Sequence, residues 1–243
     1  MIDIHSHILP AIDDGARSLE ESLQMARMAV ESGIKAVAAT PHCVDDRTEE
    51  VQAVLTFLQD ALDEFQIPLK LYRGMEIFGT ENTALLLQNE ELCTLNGSRY
   101  PLIEFDFDSD GEEETEILQD VIQAGFRPVV AHPERYHYIR RDPYLVNEWY
   151  DMGCLFQINR GSLLGRFGRG PKRMAMELVG RGFAAVVASD AHYANTRTQW
   201  MADVRNLLKD EFSTEIAEVL LKKNPRCLLN NEEIPFGKPK WFV

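Results

Sequence analysis

Seven short apolar runs alternate with longer amphipathic stretches from end to end, and this alternation restricts the fold of the chain more than any other feature. The runs are Ile2–His5, Ile34–Thr40, Leu69–Met75, Tyr100–Phe105, Pro128–Ala131, Cys154–Asn159 and Ala184–Ala188. They have the length and composition of buried strands. Apolar spacing predicts helices over Ser18–Glu31, Glu49–Phe65, Glu113–Ala124, Tyr144–Met152, Pro171–Arg181, Arg197–Leu208 and Thr214–Lys222. Ser18 and Glu21 read as a capping box, and Gly33, Gly125, Gly153 and Gly182 stand just past helices, where a left-handed residue is usual. Strand–helix repetition requires crossover connections, hence parallel strands. About seven strands with helices outside point to an α/β fold, a closed or nearly closed barrel of the TIM type, with a doubly wound open sheet as the alternative. No linker, repeat or low-complexity tract interrupts the pattern, so residues 1–243 read as one domain. The irregular tail from Pro235 to Val243 is expected to dock on the body or on a neighbouring subunit.

Parallel strands deliver their C-terminal ends to one face, where barrel active sites are built. Five of the six histidines fall there: His5 and His7 after the first run, His42 after the second, His132 after the fifth and His192 after the seventh. Glu76, Glu104 and Asp190 join them at the ends of the third, fourth and seventh runs. Imidazole nitrogen and carboxylate oxygen suit zinc, iron and manganese. Alternate residues of an extended segment point the same way, so His5-x-His7 presents two imidazoles to one ion, and Asp190-x-His192 works likewise. A lone strand-end histidine is ordinarily a hydrogen-bonded structural residue; nearly every strand ending in His, Asp or Glu is not explained that way. Eight such groups exceed the three protein ligands of a catalytic zinc, so two to three divalent ions are expected, manganese first, iron or zinc as alternatives. His137, in an aromatic stretch beyond His132, is left outside the set.

The net charge is −14, with 39 acidic against 25 basic residues, a balance that disfavours nucleic acid as partner. The four cysteines lack C-x-x-C spacing and read as thiols of a reducing compartment. With no apolar segment near the ~20 residues of a membrane helix and no secretory pattern, a cytoplasmic location without membrane insertion is expected.

Met1-Ile2-Asp3-Ile4-His5-Ser6-His7-Ile8-Leu9-Pro10, followed by Asp13-Asp14-Gly15, resembles the opening of the polymerase-and-histidinol-phosphatase (PHP) superfamily. Closer still is the resemblance to the bacterial PHP-type protein-tyrosine phosphatases encoded with capsule and exopolysaccharide genes. It is supported by Ser98–Phe105, Val130–Tyr136, Ala188–His192, Asp151–Cys154 and Asn224-Pro225-Arg226, and runs to about residue 230. The resemblance implies a distorted (β/α)7 barrel with a trinuclear site held by His5, His7, His42, Glu76, Glu104, His132, Asp190 and His192. It also implies that Arg135 and Arg197 grip the phosphate and that Asp14 is an acidic residue near the site, assigned to the surroundings of the ligands. Glutamate at 104, where the wider superfamily often has histidine, favours the tyrosine-phosphatase branch. The segments Cys43–Thr48 and Asp106–Glu114 are shorter than the resemblance leads one to expect, and it implies that these loops shape substrate entry.

These residues suit attack by a metal-activated hydroxide on phosphorus, with arginine forks neutralising the non-bridging oxygens. A tyrosine phosphate leaves as a phenolate of conjugate-acid pKa about 10, so no strong general acid is essential; Asp190, Asp14 and His192 remain open for that role. Two C-x5-R matches, Cys93 to Arg99 and Cys154 to Arg160, lack the loop-to-helix context of a thiolate phosphatase. The glycine-rich stretch Gly161–Gly170 lacks the ending of a nucleotide loop, and with Arg160, Arg166 and Arg169 reads as a solvated or substrate-facing loop. The acidic run Asp106–Glu116 reads as solvating a loop and complementing the next helix N-terminus. The leading function is therefore a metal-dependent protein-tyrosine phosphatase acting on a bacterial tyrosine kinase. A small-molecule phosphoesterase such as histidinol phosphatase and a non-catalytic metal-stabilised binding module are the alternatives, and homo-oligomerisation stays open.

Overall fold

In the computed structural model, residues 1–43, 47–234 and 238–243 are described. Nine strands are assigned among them: β1 Ile2–Ser6, β2 Ala36–Ala39, β3 His42–Cys43, β4 Lys70–Arg73, β5 Glu76–Phe78, β6 Leu102–Glu104, β7 Val129–Ala131, β8 Leu155–Asn159 and β9 Ala184–Ala188. The surplus over seven comes from two interruptions. The second expected run, Ile34–Thr40, forms β2, and past Pro41, which has no N–H to give a ladder, the chain adds the separate strand β3. The third, Leu69–Met75, forms β4, and past Gly74-Met75 the chain adds β5. A Cβ on Gly74 would sit 3.0 Å from the Thr40 side chain, so the two chains approach closely at that break.

All pairings are parallel, in two sheets ordered β1-β2-β4 and β3-β5-β6-β7-β8-β9. The sheets are joined where the chain runs from β2 into β3 and from β4 into β5. At the other side, β1 meets the segment after β9 through a parallel bridge between Ser6 and Ala191. There Asp190 N donates to His5 O at 2.9 Å, and His7 N donates to Ala191 O at 2.8 Å.

Helices over Leu19–Ser32, Thr48–Glu64, Glu112–Gln123, Tyr144–Met152 and Arg169–Arg181 match the expected amphipathic stretches closely. Ser18 caps the first through Glu21 N, but the Glu21 carboxylate reaches Arg17 N, one residue earlier than a capping box requires. The four named glycines all have left-handed φ. Two expectations need correction. The helix expected from Arg197 begins at Ala202, because residues 193–201 are irregular and carry Arg197 in the left-handed region. The helix expected over Thr214–Lys222 changes to a wider turn at Val219–Lys223 and resumes over Asn224–Leu229, with Pro225 in its first turn. Short helices over Thr83–Gln88, Arg160–Leu163 and His137–Arg141 are too brief to show an apolar period.

Within the tail, residues 238–243 dock on the body. Phe242 stacks on Phe183 with centroids 5.5 Å apart, and the Arg181 guanidinium lies 4.4 Å from the Phe242 ring. Residues 235–237 lie outside the described residues, as do 44–46 of the expected entry segment. No described helix is long and apolar enough to cross a membrane.

Trp149 anchors the core beneath the active face. It is fully buried, donates from Nε1 to Thr115 Oγ1 at 2.7 Å, and packs against Phe105 and Tyr138. Trp149→Ala is expected to cost about 3–5 kcal/mol in equilibrium urea unfolding, from the cavity and the lost Nε1 hydrogen bond. A loss below about 1 kcal/mol would contradict this packing.

Candidate metal centre

The C-terminal ends of the strands bring the eight expected ligands into one pocket. Glu76, at the start of β5, lies centrally. Its Oε2 is 3.0 Å from His5 Nε2, 3.1 Å from His7 Nε2 and 3.3 Å from His42 Nδ1, while its Oε1 is 2.8 Å from His132 Nε2. Asp190 Oδ1 closes the far side, 3.5 Å from His5 Nε2 and 3.6 Å from His7 Nε2. His42 Nδ1 is also 2.8 Å from Glu104 Oε1. Three overlapping sets have donor atoms within 4.8 Å of one another: His5, His7, Glu76 and Asp190; His7, Asp14, His42 and His192; and His42, Glu76 and Glu104. His132 stands outside those sets and reaches them through Glu76.

Whether these groups suit cations can be judged from their hydrogen bonding. His5 Nε2, His7 Nε2, Glu76 Oε2 and Asp190 Oδ1 are buried and have no hydrogen-bond partner among the described residues, and His192 Nε2 shares that condition. Buried polar atoms are otherwise nearly always satisfied. Lone pairs facing one another across 3.0–3.6 Å with no hydrogen bond between them form the arrangement a divalent ion completes. The donor set of imidazoles and carboxylates fits manganese, iron or zinc.

The outer nitrogens and oxygens are held by residues that sequence reasoning passed over. Asp13 Oδ2 accepts from His7 Nδ1 at 2.7 Å and from His42 N at 3.0 Å, fixing which ring nitrogen of His7 faces the pocket. Gly15 permits that loop: a Cβ there would lie 2.3 Å from His7 O. Gln157 Oε1 receives His5 Nδ1 at 2.9 Å, and Asn159 Nδ2 donates to Asp190 Oδ2 at 2.7 Å. Their spacing is a usable signal, since two polar residues at alternate positions of an otherwise apolar strand face one side. Beneath lies a further buried chain in which Gln199 Nε2 donates to Asp3 Oδ2 at 2.7 Å and Ser6 Oγ donates to Gln199 Oε1 at 2.8 Å. Asp14, expected near the site, points its Oδ1 to 3.6 Å from both His42 Nε2 and His192 Nε2, at the pocket mouth.

Charge is concentrated here. Burial opposes a proton on His5, but the facing Glu76 and Asp190 outweigh it and raise the imidazolium pKa to about 9. His7 is likewise raised against burial, by Asp13, Asp190 and Glu76, and His42 by Glu104 and Glu76. Despite burial, Glu76 and Asp190 are lowered by His5 and their other cationic neighbours. His192 is lowered to about 3 by burial and the adjacent His7, so it is neutral and its lone pair is available. Below the raised histidine pKa values a metal ion must displace protons, so affinity is expected to fall as pH drops.

The two arginines converge on the same carboxylate. Arg197 Nη2 is 2.6 Å and Arg135 Nη1 3.3 Å from Asp190 Oδ2. Arg135 is gripped between two rings, 4.6 Å from the Phe107 centroid and 4.5 Å from Phe167. Gly161 makes room for Phe167, since a Cβ there would meet its ring at 2.6 Å. His132, Asp190 and Arg197 all carry left-handed φ, of 34°, 50° and 46°. Non-glycine residues hold such conformations at a cost of about 1–3 kcal/mol each, and they concentrate at functional sites.

The thiolate alternative does not fit. Cys154 is buried, its thiol pushed up to about 12, and it lies at the opposite end of β8 from Arg160. Arg160 is buried and bound to Asp203 through Nε at 2.8 Å, so it is not a mobile substrate contact. Arg99 is bound to Asn231 and Glu233. His137 pairs with exposed Asp108, outside the pocket as expected.

Residues 1–230 match the family model described as capsular polysaccharide synthesis, CpsB/CapC. The chain is 37% identical to the tyrosine-protein phosphatase YwqE of Bacillus subtilis (strain 168), covering 98% of this chain and 95% of that protein. It is 32% identical to the tyrosine-protein phosphatase CpsB of Streptococcus pneumoniae, covering 96% and 100%. It also superposes over its full length, with a TM-score of 0.94 at 36% identity, on a crystal structure from work on YwqE of B. subtilis and CpsB of S. pneumoniae, described as unique metal-dependent tyrosine phosphatases; all of that chain is covered. The chain belongs to the CpsB/CapC family of capsular polysaccharide synthesis proteins.

Proposed function

We propose that this protein is a metal-dependent protein-tyrosine phosphatase, and that the eight clustered side chains hold two to three divalent ions, manganese first among them. The observation that carries this reading is the convergence of four buried, unpartnered donor atoms, on His5, His7, Glu76 and Asp190, beside two arginines. The two parallel sheets, with the Ser6–Ala191 bridge opposite their junction, support a distorted (β/α)7 barrel folded as one domain. The substrate class is a phosphotyrosine protein, with a bacterial tyrosine kinase of polysaccharide synthesis as the first expectation and the cytoplasm as its place.

When bound, the ions supply an activated water and neutralise phosphate charge. The chain's own residues do the rest. Glu76 faces three imidazoles through one oxygen and a fourth through the other, which suits a carboxylate shared between ions. Asp13 and Gln157 orient His7 and His5 by holding their outer nitrogens. Arg135 and Arg197 enter the phosphate site as planar forks, each able to meet two oxygens. Phe107 and Phe167 keep Arg135 in place in the meantime. Exposed Asp14 stands at the mouth with buried His192 behind it, where a leaving phenolate would emerge. A phenolate of conjugate-acid pKa about 10 leaves with little assistance, so an aryl phosphate is the matched substrate.

The reading is tested by turnover of a phosphotyrosine peptide against histidinol phosphate: the peptide should be favoured in kcat/KM, and the reverse order would assign a small-molecule phosphoesterase. Arg135→Ala should lower kcat by roughly 100- to 1000-fold, the scale of one lost charge-stabilising donor, with bound metal unchanged. If metal content falls instead, Arg135 is structural. Asp13→Ala should reduce metal affinity by about 10- to 100-fold, as outer partners of ligating histidines do; wild-type affinity in that variant would remove Asp13 from the centre.

A further inference from the structure

An acidic groove borders the candidate metal centre on one side. It has a volume of about 490 Å³ and is walled by Phe78, Phe105, Asp106, Glu113, Glu114 and Ile117. It runs on into an open trough along Asp108, Asp110, Glu112 and Glu116. Arg141 is the basic residue of the trough, and His137 is already paired to Asp108. The chain links the groove to the centre. Phe105 and Asp106 directly follow Glu104, Phe78 lies two residues past Glu76 at the end of β5, and Gly79 N donates to Glu104 O at 2.9 Å.

Solvation of the loop and helix-dipole compensation account for the exposed members of this run; Glu112, Glu113 and Glu114 do occupy the first helical turn. They do not account for Glu114. Its side chain is on the groove wall and only 5% exposed, and its Oε2 is buried without a hydrogen-bond partner among the described residues. The Tyr138 Oη beside it is also buried and unpartnered. Burial, then Glu114 and Asp106, push that phenol up, so it stays a neutral group among carboxylates. A buried, unpartnered carboxylate in the groove wall, with exposed carboxylates around it and an apolar wall of Phe78 and Ile117, matches a long side chain whose stem is apolar and whose head is cationic.

We infer that this groove receives a lysine or arginine of the protein substrate, next to the phosphotyrosine in sequence, and so determines which phosphotyrosines are hydrolysed. The inference rests on the phosphatase reading. Asp106 lies two residues past Glu104, and an extended peptide spans roughly 3.3–3.6 Å per residue, so the basic residue is expected about two to four positions from the phosphotyrosine. The acidic wall would also repel peptides carrying acidic residues there.

The test is a set of phosphotyrosine peptides with Lys, Ala or Glu at each of the four positions on either side, assayed with wild type and an Asp106→Asn/Glu113→Gln variant. Both changes are at exposed positions, so the fold and p-nitrophenyl phosphate turnover are expected to be unaltered. At one or two positions Lys should lower KM by about five- to tenfold relative to Ala, an advantage that shrinks with salt and disappears in the variant. Equal KM for Lys and Ala peptides in wild type, or a preference that survives in the variant, overturns the groove assignment while leaving the phosphatase reading intact. If phosphotyrosine peptides are not turned over, the phosphatase reading itself fails. Fluorescence anisotropy with peptides carrying a non-hydrolysable phosphotyrosine mimic then decides the groove separately: a Lys preference lost in the variant supports it, and none refutes it.

Discussion

Two carboxylates, Glu76 and Asp190, carry their charge where water scarcely reaches, and the rest of the active face is arranged around that fact. A buried charge without partners costs many kcal/mol, so it is compensated or neutralised. Here compensation is incomplete from the protein alone. Asn159, Arg135 and Arg197 converge on Asp190 Oδ2, while its Oδ1 and Glu76 Oε2 face imidazole nitrogens with no hydrogen bond between them. Protons on His5 and His7 can supply part of the missing positive charge, which is why those groups are raised. Divalent ions would supply it more fully, in the geometry already present. Folding and function therefore draw on one electrostatic arrangement, and the left-handed backbone at His132, Asp190 and Arg197 is a local cost of bringing it together.

The centre is legible in the pattern of strand-end histidines, because parallel strands share one exit face and the spacing of the runs places these residues on it. His5, His7, His42 and His192 meet there as the spacing implies, with Glu76, Glu104 and Asp190 among them. What stays hidden in the sequence depends on contacts between distant segments. Gln157 and Asn159 look like ordinary polar residues until β8 is set beside His5 and Asp190. Asp13 and Asp14 are neighbours in sequence, yet one turns inward to hold His7 and the other faces the mouth. The short strands β3 and β5, past Pro41 and Gly74-Met75, are missed because two or three residues carry no apolar period of their own. The late start of the helix at Ala202 follows from residues 193–201 being used instead to bring Arg197 and Gln199 to the site.

The acidic balance of the chain also has a spatial meaning that composition conceals. Part of it is the buried set that suits cations, and part lines the rim groove from Asp106 to Glu116. In the proposed reading the first gathers positive charge for a phosphate, and the second receives a basic residue of the protein substrate. Aromatic residues link the two regions. Phe107 packs edge-on to His132 at 5.9 Å and underlies Arg135, while Phe105 and Phe78 wall the groove. A single loop leaving β6 thus touches the candidate metal centre, Arg135 and the outer surface.

The most direct measurement is to strip the protein with chelator and titrate manganese back, following bound metal per chain by mass spectrometry and hydrolysis of p-nitrophenyl phosphate in the same samples. Activity that vanishes on stripping and returns in step with the binding of two to three ions per chain is the expected result. Hydrolysis that persists in stripped protein, or a chain that binds no more than one ion at full activity, would contradict the multi-metal centre.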